Sequence, residues 1–562
     1  MSVHKEIKRE IRRAKLSYKR KLEDMLSNNN MGSAWDSIRS MVGLTDNVKK
    51  RVSLDGFTSD LVLAQELNKF YSRFDVYFFN NEIMTLRNTS LESKQCFSPF
   101  FDEYSVVKTF KHCKIRTSAG PDNISSRLLS NCAVQLGPIF NYIFNLSLSQ
   151  QKVPNLWKQS TIVPVGKFKH PKSLNDFRPI ALTSLVMKSL EKLIKAELLK
   201  TTEHRLDPLQ FAYRTKRGVQ DATITLLNYI CKHLDSPNNH VRLMFVDFSS
   251  AFNTIQPHLL IQRLRDNFGL KGSIVGWILD FLTGRTQRVR VNGKFSDLTV
   301  TSTGSPQGCV LSPLLYILYT NDCCSSFENR HILKFADDTV IVSLLNSTET
   351  SHGPVIDYFL KWCQESFLSL NVLKTKDMCI DFRRVQPSPD TIVIDGQTVE
   401  SVESYKYLGT FLDNKLTFKK NTDSIHKKSQ QRLFCLRKLS KFQVDSTLMI
   451  LFNRSFIESI ITFSFVCWFQ SLRVKERNLL NKVVSVSSKI IGLPQETLQD
   501  LYEKQLFKKA NSILTDFSHP LYLQFQFLPS GSLLRLPFAK TNRFKHSFVP
   551  SAVSLLNARR VR

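Results

Sequence analysis

Two adjacent carboxylates, Asp337 and Asp338, sit in the segment Phe335-Ala336-Asp337-Asp338-Thr339. Apolar runs flank them, Ile332-Leu333 before and Val340-Ile341-Val342 after. Such runs predict the two strands of a hairpin with the acids at the bend. Adjacent carboxylates repel each other, and a cation between them removes the conflict. A hard, oxygen-seeking ion such as Mg²⁺ is held in this way, by one or two carboxylates with substrate phosphates completing its shell. Asp-Asp in a turn is ordinarily no more than a polar turn. The chemistry therefore rests on what accompanies the pair.

Asp247 accompanies it, ending the run Arg242-Leu243-Met244-Phe245-Val246 and lying 90 residues before Asp337. An Asp at a strand end commonly caps a helix. That interval also leaves room for an excursion that returns to the same sheet. Three carboxylates converging at strand ends can hold two divalent ions, one activating an attacking hydroxyl and one steadying the leaving oxygen. Between the acids lies Gly304-Ser305-Pro306-Gln307-Gly308, ahead of the apolar Leu314, Leu315, Ile317 and Leu318. Small residues let a flat substrate approach closely, and a glutamine amide can meet a base or sugar edge. A plain helix-entry loop would have the same composition.

The elements that must position these groups belong to a chain of 562 residues, 42% hydrophobic and 11% aromatic. That is enough for a large multi-lobed enzyme with a substantial core, and it is not a disordered composition. The formal charge of +30 points to a polyanion, most commonly nucleic acid. The 11 cysteines are odd in number and contain no C-x-x-C, which argues against a disulfide framework or a zinc ribbon. They read as reduced, intracellular thiols. The polar start is no secretory signal. The apolar stretch Ile450 to Phe469 is interrupted by Arg454 and Glu458 and predicts a buried amphipathic helix rather than a membrane span.

Along the chain, residues 1–25 predict a basic helix, either solvated or against nucleic acid. Leu61, Leu63, Leu67, Phe70 and Phe74 have helical spacing. Helices are expected to dominate from about 105 to 240, with turns at Ala119-Gly120-Pro121-Asp122 and Asn175-Asp176-Phe177-Arg178-Pro179. Residues 242–247 predict a strand, strand and helix signals mix to about 412, and 420–515 is helical and basic. The last 33 residues hold seven Lys or Arg and no acid.

Taken in order, these pieces resemble the reverse transcriptase family, with wording closest to non-LTR retrotransposons (LINEs) of the jockey-like group. Phe335-Ala336-Asp337-Asp338 is similar to its motif C, Asp247-Phe248 to motif A, and Gly304-Ser305-Pro306-Gln307-Gly308 to motif B. Ser118-Ala119-Gly120-Pro121-Asp122 and Asn175 to Leu182 resemble the fingers motifs. Leu370 to Lys376 resembles motif D, and Tyr407-Leu408-Gly409-Thr410 the primer grip. The resemblance implies an α/β (α+β) multi-lobed right-hand polymerase. It would have helical fingers, a mixed palm with an antiparallel catalytic hairpin, and a helical thumb. The expected divisions are a basic linker 1–58, an N-terminal extension and fingers 59–240, palm 241–412, thumb 413–500 and a basic tail 501–562.

The resemblance also implies roles. Asp247, Asp337 and Asp338 would be catalytic and bind two Mg²⁺ ions, with Mn²⁺ able to replace them and the Phe248 carbonyl as a further ligand. Arg178 and Lys167 would reach the triphosphate, and two such cations suit a region that must neutralise phosphate charge. Phe252 would exclude a ribose 2′-OH, because a ring without a donor fills the space and leaves the hydroxyl unpaired. Gln307 and Gly308 would line nucleotide and template. Lys374 or Lys376 would protonate the leaving pyrophosphate, and Tyr407, Leu408 and Gly409 would grip the primer.

The implied activity is RNA-directed DNA polymerisation with an RNA template, a DNA primer or target and dNTPs as partners, without a membrane. The implied location is intracellular, nuclear and cytoplasmic. Asn253 stands where many relatives have Asp, and Gly166-Lys167-Phe168 where many are richer in Pro and Lys. No apurinic-type endonuclease or RNase H domain is expected in this chain. A catalytically silent RNA-binding remnant of a mobile element is the alternative from another class, and an RNA-templated RNA polymerase is a third. The intact acids and Gln307 loop count against the former, and Phe252 against the latter.

Overall fold

The run from Arg242 to Val246 is apolar because both of its faces are covered. In the computed structural model, which describes residues 2–28, 30–41, 51–75, 79–91, 100–114, 118–347, 349, 351–384 and 390–560, it lies in the middle of a five-stranded sheet. Strand β3 (His240–Val246) is flanked by β8 (Asp338–Leu345) and β9 (Lys376–Asp381), with β7 (Arg330–Phe335) and β12 (Glu400–Ser401) at the edges. Successive side chains of a strand point to opposite faces. Val241, Leu243 and Phe245 accordingly enter one core, and Met244 and Val246 the other. The first core includes the helix Val219–His233 and the C-terminal helices; the second includes the helices Leu185–Thr202, Pro257–Asp266, Ser273–Leu282 and Ser312–Tyr319. The architecture is mixed α/β with this sheet as its middle layer.

Helices do dominate from 105 to 240, and a second sheet adds two strands that the sequence did not announce. β1 (Gln159–Gly166) pairs antiparallel with β2 (Phe177–Thr183) and parallel with β4 (Arg285–Val291), which also carries β5 (Lys294–Phe295) and β6 (Thr299–Thr301). Proline inside a run ordinarily argues against a strand. Here Pro164 faces Pro179 across the pair, so both missing donors fall at one step. The turn expected at Asn175–Pro179 ends at Asp176, and Phe177 already belongs to β2. The helix Asp60–Ser72, capped by Ser59, lays Leu63 and Leu67 against Val289 and Val291 of β4. Two further hairpins follow, β10 (Val393–Ile394) with β11 (Gln397–Thr398) and β13 (Ser404–Tyr407) with β14 (Thr410–Asp413).

By length and composition, Ser446–Cys467 is apolar enough to cross a membrane. It is not one regular helix: Ser446–Phe452 passes through a π-helical stretch, Asn453–Glu458, into Ser459–Ile461, and Phe465–Cys467 is 3₁₀. Phe452, Ile457, Ile461 and Phe465 are buried in the core shared with the helix Lys419–Lys441. The basic helix Ser2–Ser27 is exposed over Val3 to Leu16 and buries Leu22 and Leu26. The next helix, Met31–Met41, stacks Trp35 on Phe456 at 4.8 Å. The described cysteines are all free, and Cys96 lies outside the described residues.

Candidate active site

Strand register brings the acids together. In the antiparallel pair of β3 and β8, Val246 faces Thr339, so one step further along the two chains stand Asp247 and Asp338. β7 and β8 close at Phe335 opposite Asp338, leaving Ala336-Asp337 as a two-residue turn. The chain after Asp247 is clamped by the segment 369–371. Asn371 N–H donates to Asp247 O and Ser249 N–H to Ser369 O, each at 2.8 Å. Ser250 then takes a left-handed φ of 60° and turns the chain into Phe252.

Asp337 and Asp338 reach solvent, yet the surrounding protein crowds them. Burial first, then the Asp247 charge, raises Asp337, while Arg178 draws it down. Burial, then Asp337 and Asp247, push Asp338 up to about 6. Among the described residues, no three His, Cys, Asp or Glu side chains are gathered closely enough to hold a metal ion as they stand. The donor chemistry still fits a hard cation, because mutually repelling carboxylate oxygens at a pocket are what one or two acidic ligands of Mg²⁺ look like before phosphates complete the shell.

Asp247 and Asp337 line a cleft of about 660 Å³, which Asp338 does not line. Its walls carry Lys167, Arg178 and Lys374, together with Phe252, Gln307 and Gly308. Lys374 Nζ is 3.6 Å from the Asp247 carboxylate. Burial, then the charges of Lys374 and Arg178, lower Lys167, whose Nζ donates to Asn175 O at 2.5 Å. Lys376 stands apart from this group: it is paired with Glu400 at 2.8 Å and does not line the cleft.

The Gln307 loop is fixed by backbone contacts. Ala181 N–H donates to Gln307 O at 2.8 Å, Ser305 N–H to Phe252 O at 2.8 Å and Gly304 N–H to Ile255 O at 2.7 Å. The Phe252 ring leans on Tyr316 at 4.8 Å. Gly308 has φ +129°, and a Cβ there would stand 2.6 Å from Ala181 O. Buried Arg285 donates to Thr303 O and Gly304 O at 2.6 and 3.0 Å. Tyr407 ends β13 opposite Thr410, and Leu408 and Gly409 form the β13–β14 turn, with Leu408 at φ 45° and Gly409 at φ 92°. Burial, then the Asp338 charge, push the Tyr407 hydroxyl up. Tyr405, in the same hairpin, stacks on Phe245 at 4.0 Å.

Sequence reasoning missed two charged residues. Arg73, at the end of the helix Asp60–Ser72, lines the cleft beside Ser250, its guanidinium 3.7 Å over Phe70 and 4.2 Å over Phe74. No local pattern announces it. Glu191 is fully buried and accepts N–H bonds from Val310 and Leu311 at 2.6 and 2.8 Å, tethering the far end of the Gln307 loop. A signal existed here: Met187, Glu191, Ile194 and Leu198 form one helical stripe, and an acid within an apolar stripe asks for a partner.

Residues 168–412 match the family described as reverse transcriptase (RNA-dependent DNA polymerase). Residues 418–459 match a family described as the N-terminal part of alkylated DNA repair protein alkB homolog 8, within the helical region that follows β14. The chain is 28% identical to a probable RNA-directed DNA polymerase from transposon BS of Drosophila melanogaster, over 61% of this chain and 39% of the relative. It is 27% identical to the RNA-directed DNA polymerase from mobile element jockey of the same organism, over 54% of this chain and 34% of that one. With the probable polymerase from transposon X-element, identity is 25%, over 65% and 41%. The chain thus spans about two fifths of the length of the curated relatives it matches.

Proposed function

We propose, from the match of residues 168–412 to the reverse transcriptase family, that this chain is an RNA-directed DNA polymerase of a non-LTR retrotransposon. It would extend a DNA primer on an RNA template with dNTPs. The observation that carries the proposal is the meeting of Asp247 and Asp337 with Lys167, Arg178 and Lys374 around one cleft. Acids and cations lining one cleft suit a substrate that is a polyanion reacting at phosphorus.

Asp247, Asp337 and Asp338, with the Phe248 carbonyl, are the groups that would hold two Mg²⁺ or Mn²⁺ ions. Bound there, the ions would acidify the primer 3′-OH and neutralise charge at the α-phosphate and the leaving pyrophosphate. Arg178 and Lys167 bind the triphosphate, and Arg73 adds a further cation to the same cleft. Phe252 fills the space beside the sugar. Gln307 and Gly308 line the nascent base pair, Lys374 gives a proton to pyrophosphate, and Tyr407 with the Leu408-Gly409 turn steadies the primer. In this reading residues 59–240 hold the N-terminal extension and fingers, 241–412 the palm and 413–500 the thumb. The basic segments 1–58 and 501–562 flank them, and the enzyme works on nucleic acid in nucleus and cytoplasm.

The test is primer extension on an RNA template with dNTPs and Mg²⁺, comparing wild type with Asp337→Asn. Extension that disappears in the variant supports the reading. A folded wild type that binds RNA but does not extend overturns it in favour of a silent RNA-binding remnant.

A further inference from the structure

The turn that carries Asp337 leans on a residue far from it in sequence. Ala336 has φ 57°, the left-handed region that a Cβ disfavours. Its N–H donates to Gln210 Oε1 at 3.2 Å, and the same oxygen accepts the N–H of Ala212 at 3.0 Å. Two donors on one atom settle which end of the amide is oxygen. Gln210 is only 1% exposed, and its Nε2 has no partner among the described residues.

The backbone that presents Gln210 is fastened to the strand leading into the turn. Phe211 N–H donates to Lys334 O and Lys334 N–H to Leu209 O, each at 2.9 Å. The buried Lys334 Nζ grips the Asp207 carboxylate, Thr320 O and Cys323 O, each at 2.8 Å. Gln210 does not line the cleft, whereas Tyr213, three residues on, does. A buried N–H without an acceptor is costly. Removing the Gln210 oxygen therefore favours rotation of the Ala336 peptide, and Asp337 would swing with it.

We propose that Gln210 is a positioning residue: it holds Ala336 in the left-handed turn and so sets where the Asp337 carboxylate stands in the cleft, as one of the groups that would hold Mg²⁺. The proposal rests on the polymerase reading of the cleft. It needs no contact between Gln210 and substrate.

The test uses the full chain and Gln210→Met, which keeps length and removes the acceptor. Misplacement of a reacting group by about 1 Å can cost roughly a hundredfold. We expect kcat for primer extension to fall about 10- to 100-fold and half-saturating Mg²⁺ to rise. The dNTP KM should stay within about twofold, since uniform binding is untouched. Glycine takes positive φ freely, so Ala336→Gly added to Gln210→Met should recover a large part of kcat. Should Gln210→Met not fold, Gln210→Asn, which withdraws the oxygen by one methylene, is read the same way. A folded variant with wild-type kcat overturns the proposal, as does a loss of kcat that Ala336→Gly leaves unrepaired. A wild type that extends no primer overturns the polymerase reading instead.

Discussion

Lys374 places its Nζ 3.6 Å from the Asp247 carboxylate, while Lys376, two residues on, turns to Glu400. Spacing alone leaves either lysine able to act as proton donor, and our proposal takes Lys374 because its side chain faces the acids. Lys374→Ala should lower the rate of single-nucleotide incorporation by about 10²-fold, at the low end for a general acid. Lys376→Ala should stay within about twofold, since it loses an ion pair whose Glu400 side is well exposed. Pre-steady-state incorporation at saturating dNTP measures both. An equal loss in the two variants would remove Lys374 from the mechanism.

Phe252 is held from two sides, by Ser305 on its carbonyl and Tyr316 on its ring. Its position is therefore set independently of substrate. Phe252→Ala should open the cleft to ribonucleotides and lower the dNTP-over-rNTP ratio of kcat/KM by about 10²-fold or more, with dNTP use changed less. Competition between dCTP and CTP on one template reads the ratio. An unchanged ratio would count against a gate at this position.

Burial is the largest influence on Glu191 and pushes it up to about 7, against the two N–H bonds from Val310 and Leu311, which draw it down. An acid whose folded pKa is raised binds more protons folded than unfolded across the interval from its ordinary value to about 7. Its charge then weakens the fold progressively as pH rises through that interval, by an amount on the order of 3 kcal/mol. Glu191→Gln keeps an oxygen for the two amides and carries no charge. The variant should match wild type near pH 4.5 and be more stable at pH 8. Urea midpoints of the two proteins at both pH values test this, and a constant difference would sink it.

Gly308 passes close to Ala181 at a φ that side chains rarely adopt. Gly308→Ala should cost about 1–3 kcal/mol of stability and shift Gln307, raising the dNTP KM more than it lowers kcat. Melting temperature and steady-state kinetics on the same preparation report the two effects. A variant that melts and binds dNTP like wild type would show that the loop yields freely.

The carboxylates and their strands were legible because each lies beside an uninterrupted apolar run, and antiparallel pairing then allows few registers. The β1–β2 hairpin was not, because Pro164 and Pro179 speak against strands when met singly and are compatible with them only as a facing pair. Arg73 and Gln210 were beyond reach for another reason. Arg73 is 177 residues from Ser250, and Gln210 is 126 from Ala336. Nothing local to either residue marks such a meeting. Glu191 stood between: the stripe around it shows that it is buried, but not what it holds.

Trp35 and Phe456 stack although they stand 421 residues apart in the chain. During synthesis at about 5–20 residues per second, that surface waits roughly 20–80 s for its partner to leave the ribosome. The first two helices therefore spend that interval with Leu22, Trp35 and Ile38 lacking the C-terminal part of their core, next to nine lysines and arginines within Ser2–Ser27. A nascent chain of this kind meets chaperones, and any nearby polyanion, well before its cleft exists.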